Sequence, residues 1–309
     1  MINDCAFVGE TLLKHMPSSI EKLHIKRNRG FWSKTFGLSL KILKAQGDLY
    51  HAHYLLQDCY IADRLGRKPL VGHCHGSDVR TSIHHPLWGR IVRHNLKSCS
   101  KVLVSTPDIV SLAKRFREDA EYLPNLVDSE LFYPKPGMHH EGKKRVLIAS
   151  DSNWSIKGTD IAIKALSKIK SEVEVNIIAY GTDFRKTVAL ASSLGLHMNQ
   201  LPKTTHEKLN QYYWSADVVI DRFKLGSLGV VSLEAIACGR PVVTYVSSEF
   251  PEQTGFPLKD IIAEKDIAKS LEEAGDDLWH EEHEFMAKEH NVIAVLPRLL
   301  KIYESLVEA

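Results

Sequence analysis

Two open α/β domains, each built on a parallel sheet, are what this 309-residue sequence predicts. Three observations carry that expectation. Apolar runs of strand length alternate with helical segments of ~10–15 residues, the pattern of βα units around a parallel sheet. Runs such as Val218-Val219-Ile220 and Pro241-Val242-Val243 are apolar without alternation, as strands covered on both faces should be. The length is about twice the ~150 residues of an ordinary domain. The charge is also divided: residues 1–135 hold 20 Lys/Arg against 13 Asp/Glu, and residues 136–309 hold 20 against 25. A formal charge of +2 thus averages a basic half and an acidic half, which fits two domains with different partners. At 44% hydrophobic and 25% charged, the chain has the material for real cores, and disordered or fibrous classes are out.

In the first half, strands are expected at 23–26, 49–53, 70–73 and 102–105, with helical segments between them. A doubly wound domain ordinarily opens on an apolar strand that leads into a glycine turn. Here only Cys5-Ala6-Phe7-Val8 precedes Gly9, so the first strand is expected to be short or missing. A true start codon lying upstream is one explanation. Residues 133–143 are rich in Pro, Gly and charge without periodicity, and form the expected linker between domains 1–135 and 136–309. In the second half the order is strand 145–150, helix 160–169, strand 173–180 ended by Gly181, and helix 183–193 stopped by Gly195. Helix 207–215, strand 217–220, helix 228–238 closed by Gly239, and strand 241–246 follow. Residues 292–307 repeat Val295, Leu296, Leu299, Leu300, Tyr303 and Leu306 at helical spacing. Two such domains would face each other across a cleft, with ligands at the carboxyl ends of the strands.

No stretch approaches the ~18 uncharged apolar residues of a membrane span. Met1-Ile2-Asn3-Asp4 carries an acid at once and no apolar signal core. The five cysteines are odd in number without CxxC spacing, which points to reduced, mostly buried thiols in a cytoplasmic protein. Asn153-Trp154-Ser155 matches a glycosylation acceptor, a pattern too short to count without a secretory signal.

Three segments carry chemistry. In Gly226-Ser227-Leu228-Gly229-Val230-Val231-Ser232-Leu233-Glu234, a strand enters, glycines turn and a helix leaves. First-turn N–H groups lack intrahelical partners and the helix dipole adds positive charge, so a phosphate is favoured there. Glu234 follows at a distance that suits a ribose diol, for which a carboxylate is the natural acceptor. An ordinary βα turn with a solvent-facing Glu is the alternative. Asp151-Ser152-Asn153-Trp154-Ser155-Ile156-Lys157-Gly158 is a polar loop after a strand, and Lys157 could meet a phosphate as a point charge or simply lie on the surface. Gly72-His73-Cys74-His75-Gly76-Ser77-Asp78 ends a first-half strand. Its His-Cys-His invites a zinc reading, but alternation lets only His73 and His75 share a face, and no further pair has ligand spacing. No metal is therefore expected; structural histidines, or one imidazole facing the cleft, are the readings left.

These segments, in this order, resemble the retaining glycosyltransferases of family 4, whose two Rossmann-like domains form the GT-B arrangement. The resemblance spans nearly the whole chain. It is strongest from Ser215-Ala216-Asp217-Val218-Val219 through Glu234-Ala235-Ile236-Ala237-Cys238-Gly239-Arg240-Pro241, with His75-Gly76-Ser77-Asp78, Leu123-Pro124-Asn125 and Lys157-Gly158 in support. It implies transfer of a sugar from a nucleotide-diphosphate donor to an acceptor hydroxyl with retention of configuration. Lys157 would contact the diphosphate, Glu234 would hold the ribose, and His75 would sit by the transferred sugar. N–H groups around Leu228, Gly229 and Val230, with Gly9 from the other domain, would cradle phosphate. No metal or other cofactor is implied, since Lys and helix N–H groups meet the leaving group's charge. The final helix would cross back to the first domain.

Two departures stand out. The family usually has a Glu eight residues before Glu234, where this chain has Gly226, and an Arg five residues before Lys157, where it has Ser152. Asp221 or Arg222, at the end of the preceding strand, could substitute. The alternative is a degenerate member that binds nucleotide-sugar or a protein partner without catalysis. The acceptor is expected to be a carbohydrate or a lipid-linked molecule. Residues 22–44 interleave Lys22, Lys26, Arg27, Arg29, Lys34, Lys41 and Lys44 with Phe31, Trp32, Phe36, Leu40 and Leu43. A helix there either rests on anionic lipid at the inner membrane face or packs its apolar stripe on the sheet. Nucleic acid is not an expected partner, because no RNA-binding signature accompanies the basic surface.

Overall fold

The computed structural model describes residues 1–27, 36–135 and 142–308. Arg29, Phe31, Trp32 and Lys34 of the basic stretch, and residues 136–141 of the expected linker, lie outside them. Contacts divide the chain into two compact units, Met1–Leu126 with Val292–Ala309, and Val127–Asn291. The second unit begins ahead of residues 133–143 because Val127 and Phe132 are already buried in its core.

In the first unit, β1 (Tyr50–His53), β2 (Leu70–Cys74), β3 (Lys101–Val104) and β4 (Glu121–Tyr122) lie side by side and parallel in chain order. Beyond β1 the sheet continues as single parallel bridges, Ile2 with Ala52 and Ile2 with Ile25. The first strand is therefore short, but it sits at Ile2 and not at residues 5–8. Ile2 donates its N–H to His51 O at 2.8 Å and accepts from His53 N–H at 3.0 Å. Cys5-Ala6-Phe7 is instead a turn, with Ala6 and Phe7 at positive φ, that feeds the helix Val8–His15. Residues 23–26 likewise reduce to the bridge at Ile25. The chain leaves Ile2 toward one side and returns at β1 on the other. The carboxyl ends of these two strands thus flank the crevice where open α/β sheets bind ligands.

Side chains alternate across this sheet. Ala52, Leu70, Cys74, Val102 and Val104 pack with Cys59, Ala62, Val92 and Leu96 of the helices Gln57–Arg64 and Trp88–Ser98. His51, His53, Val71, His73 and Leu103 consequently face the other way, where the helix Val292–Val307 supplies Tyr303. In the short helix Leu38–Lys44, Leu38 and Ile42 enter the core. Phe36, Leu40 and Leu43 stay 65%, 54% and 52% exposed, so these three residues of the stripe do not pack on the sheet.

In the second unit the parallel order is β7 (Met198–Leu201), β6 (Val173–Ile178), β5 (Lys144–Ile148), β8 (Val218–Ile220) and β9 (Val242–Val243). Alternation sends Leu147 and Val219 toward Leu233, Ile236, Phe285 and Met286, and sends Val146, Ile148, Val218 and Ile220 toward Ile163, Leu166, Ala191 and Ile267. A sheet buried on both faces explains the unbroken apolar runs. Its order reverses between β5 and β8, and the residues that follow these strands, Ser150–Ser152 and Asp221–Arg222, flank that point. Among the described residues, no helix is long and apolar enough to cross a membrane.

Candidate functional site

The second unit gathers charge at the reversal between β5 and β8. Asp221, directly after β8, is buried and accepts from the Ser150 hydroxyl, from Ser232 Oγ at 2.8 Å and from Arg222 Nε at 3.3 Å. Lys157 Nζ lies 4.0 Å from Asp221 Oδ1. Burial pushes this carboxyl up, but the Arg222 and Lys157 charges and the two hydroxyls outweigh it and hold it at about 2. Two cations thus converge on one ionised carboxylate.

The loop 151–158 presents Lys157 from a braced backbone. Trp154 N–H donates to Asp183 Oδ2 at 3.1 Å, Trp154 Nε1 donates to Thr187 Oγ1 at 2.9 Å, and Phe223 N–H donates to Lys157 O at 2.8 Å. Gly158 takes the left-handed conformation (φ +69°) that opens the helix Thr159–Leu166. Ser152 is fully buried, and its Oγ has no partner among the described residues.

The helix Val230–Ala237 starts beside the charged group. A Cβ on Gly229 would stand 1.9 Å from Arg222 Nη2 and 2.4 Å from Asp221 Oδ2, so the guanidinium lies against the backbone at the helix start. Leu228 N–H, expected to face phosphate, donates to Gln253 Oε1 at 2.8 Å, and Gln253 Nε2 donates back to Gly226 O at 3.0 Å. Gly226 has φ +61°, and a Cβ there would meet Ser247 and Tyr245 at 3.0 Å. A glutamate would be strained in this backbone conformation.

Glu234 is buried. Its Oε1 meets His206 Nε2 at 2.6 Å, and its Oε2 accepts from the Tyr213 hydroxyl at 3.0 Å. Burial raises its pKa above the usual carboxylate value, against the pull of His206 and Tyr213. Sequence reasoning missed His206, Tyr213 and Gln253, which meet the site only through tertiary contact. Ser150 and Ser232 had a weak signal, as hydroxyls flanking a strand end and a helix start.

The first unit builds a separate cluster. The β1–β2 register sets His53 opposite His73. His51 Nε2 lies 3.2 Å from His73 Nδ1, His53 Nδ1 lies 2.8 Å from His75 Nε2, and the His73 and His75 ring centroids are 4.4 Å apart. This corrects the reading that His73 and His75 lack a further pair: His51-Ala52-His53 repeats their i, i+2 spacing, and parallel pairing sets the two pairs side by side. Burial lowers the pKa of all four imidazoles, His73 to about 3, and mutual repulsion lowers His51, His53 and His75 further. At neutral pH they are uncharged. Gly9 N–H donates to Asp4 Oδ1 at 2.8 Å, and a Cβ on Gly9 would meet His53 Nε2 at 2.7 Å.

Comparison with known proteins adds four findings. Residues 133–292 match the family model of the glycosyl transferases group 1. The chain is 20% identical over 221 residues to N-acetyl-alpha-D-glucosaminyl L-malate synthase of Bacillus anthracis, covering 66% of this chain and 58% of that one. It is 29% identical over 131 residues to lipopolysaccharide glucosyltransferase WaaG of Escherichia coli, covering 41% and 34%. The chain thus spans less than two thirds of the length of each of these two relatives. Among solved structures, Anabaena Alr3699/HepE in complex with UDP-glucose superposes with a TM-score of 0.73 at 16% identity, over 92% of this chain and 86% of that one. That likeness shows the fold, two Rossmann-like domains of the GT-B class.

Proposed function

The chain belongs to the glycosyl transferases group 1 family, and from that premise we propose that it moves a sugar from a nucleotide-diphosphate donor to an acceptor hydroxyl with retention of configuration. The carrying observation is the buried Asp221 with Arg222 and Lys157 beside the start of the helix Val230–Ala237. Lys157, Arg222 and the first-turn N–H groups of Gly229 and Val230 meet the diphosphate, and Asp221 is the positioning residue that holds both cations. Arg222 takes over the charge that Ser152 does not supply. Glu234 receives the ribose hydroxyls by exchanging its contact with His206. His75, uncharged and paired with His53, stands by the sugar. The bond from the anomeric carbon to phosphate breaks, the bond to the acceptor oxygen forms on the same face, and the acceptor proton leaves with the phosphate oxygen. Positive groups around the leaving group give this step what a metal would otherwise provide.

A panel of nucleotide-sugars in a thermal-shift measurement tests the reading, because a bound donor raises stability by mass action. One donor should raise the Tm of the native chain, and Lys157→Ala and Asp221→Ala should each lose most of that shift and of turnover. Unchanged affinity and turnover in Asp221→Ala would remove it from the site, and no shift with any nucleotide would sink the donor assignment. Gly226 favours a second reading, in which the chain binds the donor without transferring it; a shift with neither hydrolysis nor transfer would select that reading.

The acceptor is carbohydrate or lipid-linked. Phe36, Leu40 and Leu43 are exposed beside Lys41 and Lys44, which supports peripheral contact with an anionic membrane. The chain should float with anionic liposomes and be released by salt; no salt-sensitive binding would discard the contact.

A further inference from the structure

We propose that His51, His53 and His73 of the first unit form a binding site for a divalent first-row transition metal ion of the zinc type. One ring nitrogen from each lies within 4.8 Å of the other two, and all three residues are buried. Neutral imidazoles are ligands for such ions, whereas magnesium and calcium take oxygen. The geometry suits the ion. Two nitrogens on one tetrahedral zinc at ~2.0–2.1 Å stand about 3.3 Å apart, and His51 Nε2 and His73 Nδ1 are 3.2 Å apart. Bringing in the third ligand, from as far as 4.8 Å, asks for a movement of up to about 1.5 Å.

With Nδ1 turned toward His51 and the ion, His73 Nε2 stays buried without a hydrogen-bond partner among the described residues. His51 Nδ1 meets the Tyr303 hydroxyl at 2.5 Å, the kind of outer contact that fixes the orientation of a metal-ligating imidazole. The ligands stand on adjacent parallel strands, so the backbone already holds them in register. Three histidines leave a fourth position for water or a small anion.

The test uses the full chain stripped with a chelator and titrated with Zn²⁺ against a competing chromophoric chelator. One ion per chain should bind. His73→Asn and His51→Gln should each weaken it by more than the ~10–100-fold that losing an outer partner costs, and Tyr303→Phe by about tenfold. Far-UV circular dichroism checks that each variant is folded. The chain has 16 His, so uptake unchanged in both histidine variants would mean scattered surface binding and overturn the site, as would the absence of stoichiometric uptake. Should the histidine variants fail to fold, X-ray absorption of the Zn²⁺-loaded native chain decides: three imidazoles support the site, and fewer overturn it.

Discussion

Glu282, on the helix Asp276–Glu289, is fully buried; its Oε2 accepts the Val242 N–H at 2.8 Å, and its Oε1 has no partner among the described residues. Burial pushes its pKa well above the usual carboxylate value, Val242 N–H pulls it down, and Glu281 adds to the rise. A carboxyl raised in the folded state contributes stability below the unfolded pKa of ~4.5 and loses it as pH rises through the folded value. Glu282→Gln keeps the acceptor for Val242 without the buried charge. It should stabilise the chain by about 1–3 kcal/mol at pH 7 and by little at pH 4, read from urea midpoints at both pH values; equal midpoints for variant and parent at pH 7 would refute this. Asp221 has the opposite sign. Held at about 2, it contributes stability above an unfolded value of ~3.9 and loses it as pH falls toward 2. Residue type and spacing made Lys157, Glu234 and His75 legible as candidates. Arg222 could also be named, as a charge at a strand end; His206 and Tyr213 on Glu234 and His53 on His75 could not, because those contacts join residues distant in sequence.

Among the elements, helices with a sustained apolar period and strands buried on both faces could be read directly. The edge strands β4 and β7 escaped, since neither has a fully buried residue and each lacks the apolar run that marks an interior strand. The loop 151–158 depends on Gly181, whose φ is +111° and whose added Cβ would stand 2.3 Å from Ser152 N and 2.5 Å from Ser152 O. Both obstacles are backbone and cannot rotate aside. Gly181→Ala should therefore cost about 2 kcal/mol or more and displace Lys157, visible as a lower urea midpoint and weaker nucleotide binding. A variant with parental stability and affinity would show that the loop is set by other contacts.

At the scale of the molecule, the helix Val292–Val307 is far in sequence from the unit it completes. Val295, Leu296 and Leu299 are buried, Arg298 donates to Tyr122 O at 2.7 Å, and Tyr303 meets His51. Removing residues 292–309 should destabilise the first unit by about 5 kcal/mol, from three buried side chains at ~1.5–3 kcal/mol each. Hydrogen exchange should accelerate in β1 and β2 while β5, β6 and β8 keep their protection; equal loss in both sheets would contradict the division. By itself, the sequence determined the α/β class, the two-domain scale, the opposite charge of the halves and which segments are candidates for phosphate binding, because these follow from periodicity, composition and local turn chemistry. Tertiary structure alone decided that the first strand is a bridge at Ile2, that Arg222 lies at a helix start, and that His51 and His53 of β1 share a face with His73 of β2. Those facts depend on strand register and chain crossing, which bring together groups that local sequence pattern does not connect.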